Sequence, residues 1–195
     1  MDEKRLFIAI SLPAPQMKRI AEAQIALRKH LPQSCIRWVQ PQNIHLTLFF
    51  LGQVPIEKIS QITSAMTFSA QNIKPINLEI SDLGAFPYLN KPNVIWLGVK
   101  SDPQIFSLFD TLKDQLIRAK FSIESRPLSL HLTLARVSRN ASNTEREQIA
   151  KTLAKINIAS LGMSMVDSIQ LYESDLRPTG PIYTRLASIE FGSSN

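Results

Sequence analysis

The chain has little of several features that mark whole classes of protein. It contains one cysteine, Cys35, among 195 residues, so an internal disulfide is excluded and a reducing cytoplasm is expected. Its apolar runs fall far short of the roughly 20 residues that a membrane-spanning helix needs. The N-terminal residues lead into only a short apolar segment before Pro13, which is unlike a secretory signal. We therefore expect neither a membrane anchor nor a signal peptide.

Glycine and histidine are also scarce. The six glycines form no glycine-rich loop of the kind that cradles phosphates in nucleotide-binding folds. Of the three histidines, His30 is interpreted as a surface residue at a helix end. His45 and His131 have no neighbouring carboxylate or cysteine in their motifs, so no dedicated metal site is expected. The net charge of +6 favours a polyanionic partner, although no long basic run concentrates it.

What the chain does contain is an exact repeat, since His-Leu-Thr-Leu occupies residues 45–48 and again 131–134. In an extended strand, side chains alternate between the two faces, so each copy puts its His and Thr on one face and its Leu residues on the other. One copy alone is typical of an ordinary half-buried strand. Two copies in matched surroundings favour a functional pair.

The segments around the two motifs follow the same order, with an apolar strand and a helix before each motif and a helix and a strand after it. These elements are predicted at residues 6–10, 14–31, 56–70 and 76–80 in the first half, and at 94–99, 103–119, 144–156 and 166–172 in the second. This order predicts one domain, residues 1–195, made of pseudo-repeat halves at about 5–90 and 91–192.

Local signals supply further expectations. Residues 84–93 are rich in turn-forming residues and are interpreted as the connector between the halves. Thr144 with Glu147 three residues later predicts a capping box at the start of the last helix. Strands that alternate with helices are compatible with a parallel sheet or with two α+β lobes that carry mostly antiparallel sheets, and periodicity does not decide between them.

The repeated polar face has the groups that phosphodiester cleavage requires. Such a reaction needs a base, an acid and donors to the phosphoryl oxygens, and two imidazoles can be base and acid near neutral pH. Thr47 and Thr133 lie on the faces of their histidines and can donate to the phosphate. Arg136 follows His131 by five residues and points to the opposite face unless the strand bends or ends near Ala135.

Taken together, these segments resemble the two-histidine (2H) phosphoesterases, and among them the RNA 2',3'-cyclic phosphodiesterases that are also called 2'-5' RNA ligases. The resemblance extends from residues 5–10 to residues 171–176 and 180–183. It is carried by both His-Leu-Thr-Leu motifs and by residues 37–45, 49–52, 96–99 and 131–136. One departure is Leu130, where the family usually has proline.

The resemblance implies an α+β fold that is bilobal with pseudo-twofold symmetry, in which two mostly antiparallel sheets, flanked by helices, surround a central cleft. It also implies hydrolysis of an RNA 2',3'-cyclic phosphate to a 2'-phosphate, with a weak reverse 2'-5' ligation. By this resemblance His131 activates water and His45 protonates the departing O3'. Thr47, Thr133 and Arg136 hold the phosphate.

The expected partners are therefore RNA ends or nucleotides that bear a 2',3'-cyclic phosphate, with no metal, no cofactor and no membrane. A monomer is expected because the two halves already complete one site. The alternative is a non-catalytic module that binds nucleotides or RNA ends in the same cleft, since a phosphate-binding cleft need not turn over.

Overall fold

Strands and helices alternate along the chain in two passes of the same order. The computed structural model describes residues 2–124, 127–178 and 180–192. Its strands are β1 (Glu3–Ile10), β2 (Ile36–Trp38), β3 (Leu46–Pro55), β4 (Ile76–Tyr88), β5 (Lys91–Ser101), β6 (His131–Val137), β7 (Met163–Val166), β8 (Ser168–Arg177) and β9 (Gly180–Glu190). Its helices are α1 (Ala14–Arg28), α2 (Ile59–Ala70), α3 (Gln104–Arg118) and α4 (Asn143–Leu153).

The strands form one antiparallel sheet in the order β7-β4-β5-β6-β3-β1-β8-β9, with β2 beside β6. Read outward from its centre, one side runs β6, β5, β4, β7 and the other runs β3, β1, β8, β9. Each side contains strands from both sequence halves, since β4 pairs with β5 while β8 pairs with β1. The two repeats are therefore interlaced in space.

A narrow seam joins the two sides. Strands β3 and β6 pair through a single register position, Leu46 opposite Leu132, and both leucines are fully buried. The predicted α+β fold with two repeats and antiparallel strands is confirmed, and the two sides of its sheet meet at this pair. The seam falls at the centre of the two repeated motifs.

The helices supply apolar stripes to the core on one side of the sheet. The clearest stripe belongs to α3, which buries Ile105, Leu108, Phe109, Leu112 and Leu116. The spacing of these residues matches the helical period that predicted the element. Among the described residues, no helix is both long and apolar enough to cross a membrane. The helix-covered face is thus the hydrophobic one, and the motif histidines and threonines lie on the other.

Two local expectations were wrong. The segment 84–93 is not a connector but a hairpin, because β4 continues to Tyr88 and β5 begins at Lys91. At Pro87, β4 has no partner strand on its other edge, and its pairing register with β5 shifts. A residue without a backbone N–H is tolerated at such a position. The capping box of α4 is formed by Ser142 and Glu145 rather than by Thr144 and Glu147.

Candidate active site

The two motifs meet at the seam of the sheet. Because Leu46 and Leu132 are opposite each other on antiparallel strands, the register brings each motif histidine next to the threonine of the other motif. His131 is the first residue of β6, whereas His45 directly precedes β3. The leucines are buried and the histidines and threonines are half-buried, as the alternation predicts. The repeated polar residues thus form one cluster.

The two imidazoles are held in the same way. Nδ1 of His45 lies 2.8 Å from the backbone oxygen of Asn43, and Nδ1 of His131 lies 2.8 Å from the backbone oxygen of Ser129. A carbonyl only accepts, so Nδ1 carries the proton and donates in both rings. Each neutral histidine consequently presents an unprotonated Nε2 that is available to a ligand.

Burial sets the electrostatics of this pair. It lowers the pKa of His45 from its ordinary 6.5 to about 4, opposed by the hydrogen bond to Asn43 and assisted by the charge of His131. Burial also lowers the pKa of His131, again against its backbone hydrogen bond and with help from the charge of Arg136. Since His131 acts on the pKa of His45 and Arg136 acts on the pKa of His131, the two rings and the guanidinium lie near one another.

A β-bulge brings Arg136 to the polar face. Thr133 pairs with Trp96 and Ala135 with Ile95, so Leu134 is an extra residue on β6. Leu134 and Ala135 are both fully buried, the alternation shifts by one, and the exposed Arg136 emerges on the side of Thr133. The bend that Arg136 requires is therefore present.

Buried polar groups fix this bulge. The carbonyl of Leu134 accepts from the backbone N–H of Val39 at 2.9 Å and from Nε2 of Gln24 at 3.0 Å. Gln24 comes from α1, where its side chain is 2% exposed, and it also donates to the carbonyl of Val39. Helix α1 thus holds the backbone from which Arg136 projects.

The first motif contains the same bulge with a different residue after it. Thr47 pairs with Ala9 and Phe49 with Ile8, which leaves Leu48 as the extra residue of β3. Phe50 therefore occupies the position that Arg136 holds in the second motif, and its side chain is 63% exposed. The duplicated site has a cation at one end and an aromatic ring at the other.

Aromatic side chains that sequence analysis did not place at the site enclose His45. The ring of Phe7 stacks on His45 with centroids 4.8 Å apart, and Tyr172 stacks on Phe7 at 5.3 Å. Tyr183 meets His45 edge-on at 5.4 Å. These contacts join strands that are distant in sequence. Phe7 also lies in a continuous apolar run, where the sequence does not show which side chains face the site.

Two aromatic side chains also lie near the ring of His131. Phe86 meets its ring edge-on at 4.9 Å, and the Trp96 ring lies at 6.3 Å. Trp96 rests directly on Gly84, where an added Cβ would overlap the indole. Aromatic rings thus lie against both histidines, and burial lowers the pKa of each.

One segment of β9 completes the site. The side-chain amide of Asn43 donates to the carbonyl of Pro181 at 2.9 Å, which ties the His45 turn to the strand that carries Tyr183. Burial raises the pKa of the Tyr183 phenol, while the charges of Arg136 and Arg5 lower it. Tyr183 therefore lies against His45 and within electrostatic reach of both arginines. Within the described ranges, no three His, Cys, Asp or Glu side chains are grouped as a metal site would require.

The geometry brings two histidines, two threonines and an arginine together on one face of the sheet, and comparison with known proteins gives the class of this protein. The family model described as LigT like phosphoesterase matches the chain twice in succession, over residues 10–96 and 97–183. The chain belongs to this family. The resemblance drawn from the repeated motifs is thereby confirmed.

Particular relatives are similar over nearly their full length. A protein of Thermotoga maritima named RNA 2',3'-cyclic phosphodiesterase is 32% identical over 187 residues, which are 96% of this chain and 95% of that protein. A crystal structure of a Thermus thermophilus protein has a TM-score of 0.79 at 25% identity, covering 98% of this chain and 100% of that one. A crystal structure of E. coli LigT with 3'-AMP has a TM-score of 0.75 at 28% identity, with the same coverage.

Proposed function

We propose that this protein hydrolyses the 2',3'-cyclic phosphate at an RNA 3' end to a 2'-phosphate, by acid–base catalysis between two histidines and without a metal ion. The observation that carries the proposal is the pair of imidazoles, both held through Nδ1 so that both offer Nε2. Family membership and the name of the Thermotoga maritima relative support 2',3'-cyclic phosphodiesterase activity.

In the proposed reaction, Nε2 of neutral His131 takes a proton from water as the water oxygen attacks phosphorus. The bond from phosphorus to O3' breaks, and Nε2–H of protonated His45 gives its proton to O3'. The products are a 2'-phosphate and a 3'-hydroxyl. Both histidine pKa values are low in the free protein, so we infer that the bound anion raises the pKa of the acid and supplies its protonated form.

Three further residues hold the phosphate in this proposal. Thr47 and Thr133 lie beside the histidines on the polar face and donate hydrogen bonds to non-bridging oxygens. Arg136, which the bulge turns to the same face, pairs with the charge that grows on those oxygens in the transition state. The groups that bind the anion are thus separate from those that move protons.

The finer properties are part of the same proposal. When the 5'-hydroxyl of another RNA attacks phosphorus in place of water, its proton goes to His131, the bond to O3' breaks as before, and the site joins the two RNA ends weakly through a 2'-5' bond. We propose that the chain acts as a cytoplasmic monomer and that residues 1–195 form one bilobal domain with pseudo-repeat halves at about 5–90 and 91–192. The interlaced pairing of β4 with β5 and of β8 with β1 supports a single folding unit.

The test is to incubate the protein, in EDTA, with a short RNA that ends in a 2',3'-cyclic phosphate and to identify the product. We expect a 2'-phosphate from the wild type and a decrease in kcat of roughly 10²- to 10⁴-fold in both His45→Ala and His131→Ala. The matched control is His30→Ala, because His30 is exposed and lies just beyond α1.

Each contrary outcome removes one part of the proposal. Complete loss of wild-type activity in EDTA would contradict the metal-independent mechanism. A 3'-phosphate product would contradict cleavage of the bond to O3'. Tight binding of the RNA with no turnover between pH 4 and 9 would identify a binding module instead.

A further inference from the structure

Two arginines lie side by side at the edge of the site. Arg37 on β2 is directly opposite Arg136 on β6, an arrangement that puts Cβ atoms roughly 4.5–5.5 Å apart on one face. Both side chains are exposed. Neither makes a hydrogen bond or ion pair with any residue that the structure describes. Like charges opposite each other destabilise a sheet, so this pair needs a reason other than stability.

The position of Arg37 separates it from the histidines. One edge of β6 pairs with β5, and its other edge is shared between β3 at Leu132 and β2 at residues 135–137. Arg37 therefore lies beside Arg136 at the far end of β6, several residues along the strand from His131. A ligand that reaches both the histidines and Arg37 must extend along this edge of β6.

Further unpaired cations occur on the same face. Arg5 is two residues from Phe7 on β1 and its charge acts on Tyr183, and Arg185 on β9 is opposite Tyr172. Neither has a hydrogen-bond or acidic partner within residues 2–124, 127–178 and 180–192. The polar face thus has more positive charge than one singly charged cyclic phosphate balances.

We propose that Arg37 binds a second phosphate of the substrate, the one on the 5' side of the terminal nucleotide, so that the site favours an RNA strand over an isolated nucleoside 2',3'-cyclic phosphate. This inference rests on the proposed function, because it takes Arg136 to hold the reacting phosphate. Arg37 is a specificity residue in this arrangement and takes no part in the proton transfers. Its guanidinium makes the charge-assisted hydrogen bonds that suit phosphate oxygens.

The test uses three substrates, of which the first lacks the second phosphate and the other two carry it. They are a nucleoside 2',3'-cyclic phosphate, the same compound with a 5'-phosphate, and a dinucleotide that ends in the same cyclic phosphate. Wild type, Arg37→Ala, Arg37→Lys and the control Arg118→Ala are compared, since Arg118 is an exposed arginine on α3, away from the polar face.

For Arg37→Ala we expect kcat/KM to fall roughly three- to tenfold on the two substrates with a second phosphate, through KM, and to stay unchanged on the first. The slope of log kcat/KM against log salt should become shallower for those two substrates, because salt screens the lost contact between opposite charges. Arg37→Lys should keep that slope, and Arg118→Ala should match the wild type on all three.

The remaining outcomes overturn the inference. An equal loss on all three substrates would place Arg37 on the reacting phosphate, and no loss on any would leave it without a ligand. If the wild type cleaved none of the three, the proposed function would fail instead. In that case, the affinities of the wild type and of Arg37→Ala would be measured for a nucleoside 2'-phosphate with and without a 5'-phosphate. If Arg37→Ala lowered neither affinity, the inference would be refuted.

Discussion

Burial of His45 makes a quantitative prediction about stability that is independent of any substrate. The unfolded chain exposes this imidazole at its ordinary pKa of 6.5, whereas the folded protein lowers that pKa to about 4. Below pH 6.5 the unfolded state therefore binds a proton that the folded state does not bind. The free energy of unfolding consequently falls as the pH decreases to about 4. The full linkage is about 3.4 kcal/mol at 1.36 kcal/mol per pKa unit, of which about 2 kcal/mol is lost between pH 8 and pH 5.

The perturbation is His45→Gln, which removes the titrating group. Free energies of unfolding are measured by urea denaturation at pH 8 and at pH 5 for both proteins. Whatever His45→Gln costs at pH 8, its stability relative to the wild type should improve by about 2 kcal/mol at pH 5. Other titrating groups are common to both proteins and cancel in the comparison.

His30→Gln is the matched control for loss of a histidine, since His30 has no aromatic contact among the described residues. The burial argument is refuted if the unfolding free energies of the wild type and His45→Gln differ by the same amount at both pH values. A direct NMR titration of His45 that shows a midpoint near 6.5 would refute it as well.

Three further predictions concern the walls of the site. Gln24→Leu leaves the bulge carbonyl with one donor fewer and should lower the free energy of unfolding by about 1–3 kcal/mol, measured in urea; an unchanged midpoint would contradict the role given to Gln24. Gly84→Ala forces the Trp96 ring to move and should cost about 1–3 kcal/mol, seen as a lower Tm, with unaltered Tm and tryptophan fluorescence as the contrary result. Arg136→Gln removes a positive charge that lowers the pKa of His131, so NMR should find that pKa raised; a fall would contradict the assigned sign.

Much of the fold was predictable because apolar periodicity is local. The helices predicted at 14–31 and 103–119 correspond to α1 (Ala14–Arg28) and α3 (Gln104–Arg118). The hairpin of β4 and β5 was missed because its turn-forming residues are the strongest loop signal in the chain. Pairing across the hairpin outweighs that signal, and its energy comes from a partner strand that local pattern does not reveal.

The site was predictable only in part, for the same reason. An exact repeat identified the histidines and threonines, because the alternation of faces is regular over four residues. The bulge that follows was unreadable, since Leu134 and Ala135 are both apolar and either could be the inward residue. The ring of Phe7 and the pairing of Arg37 with Arg136 depend on the order of strands in the sheet, which the sequence does not state.

Arg136 follows the bulge of the second motif, whereas Phe50 follows the equivalent bulge of the first. The two ends of the site therefore differ in charge. A half-turn about the pseudo-twofold axis superposes histidine on histidine and threonine on threonine, but it carries a permanent positive charge onto a benzene ring. Any ligand therefore meets two unlike halves. In the proposed function, an RNA end, with a base on one side and an ionised chain on the other, has one preferred orientation. In the proposed reaction, this difference between the repeats fixes which histidine faces the attacking water and which faces the departing O3'.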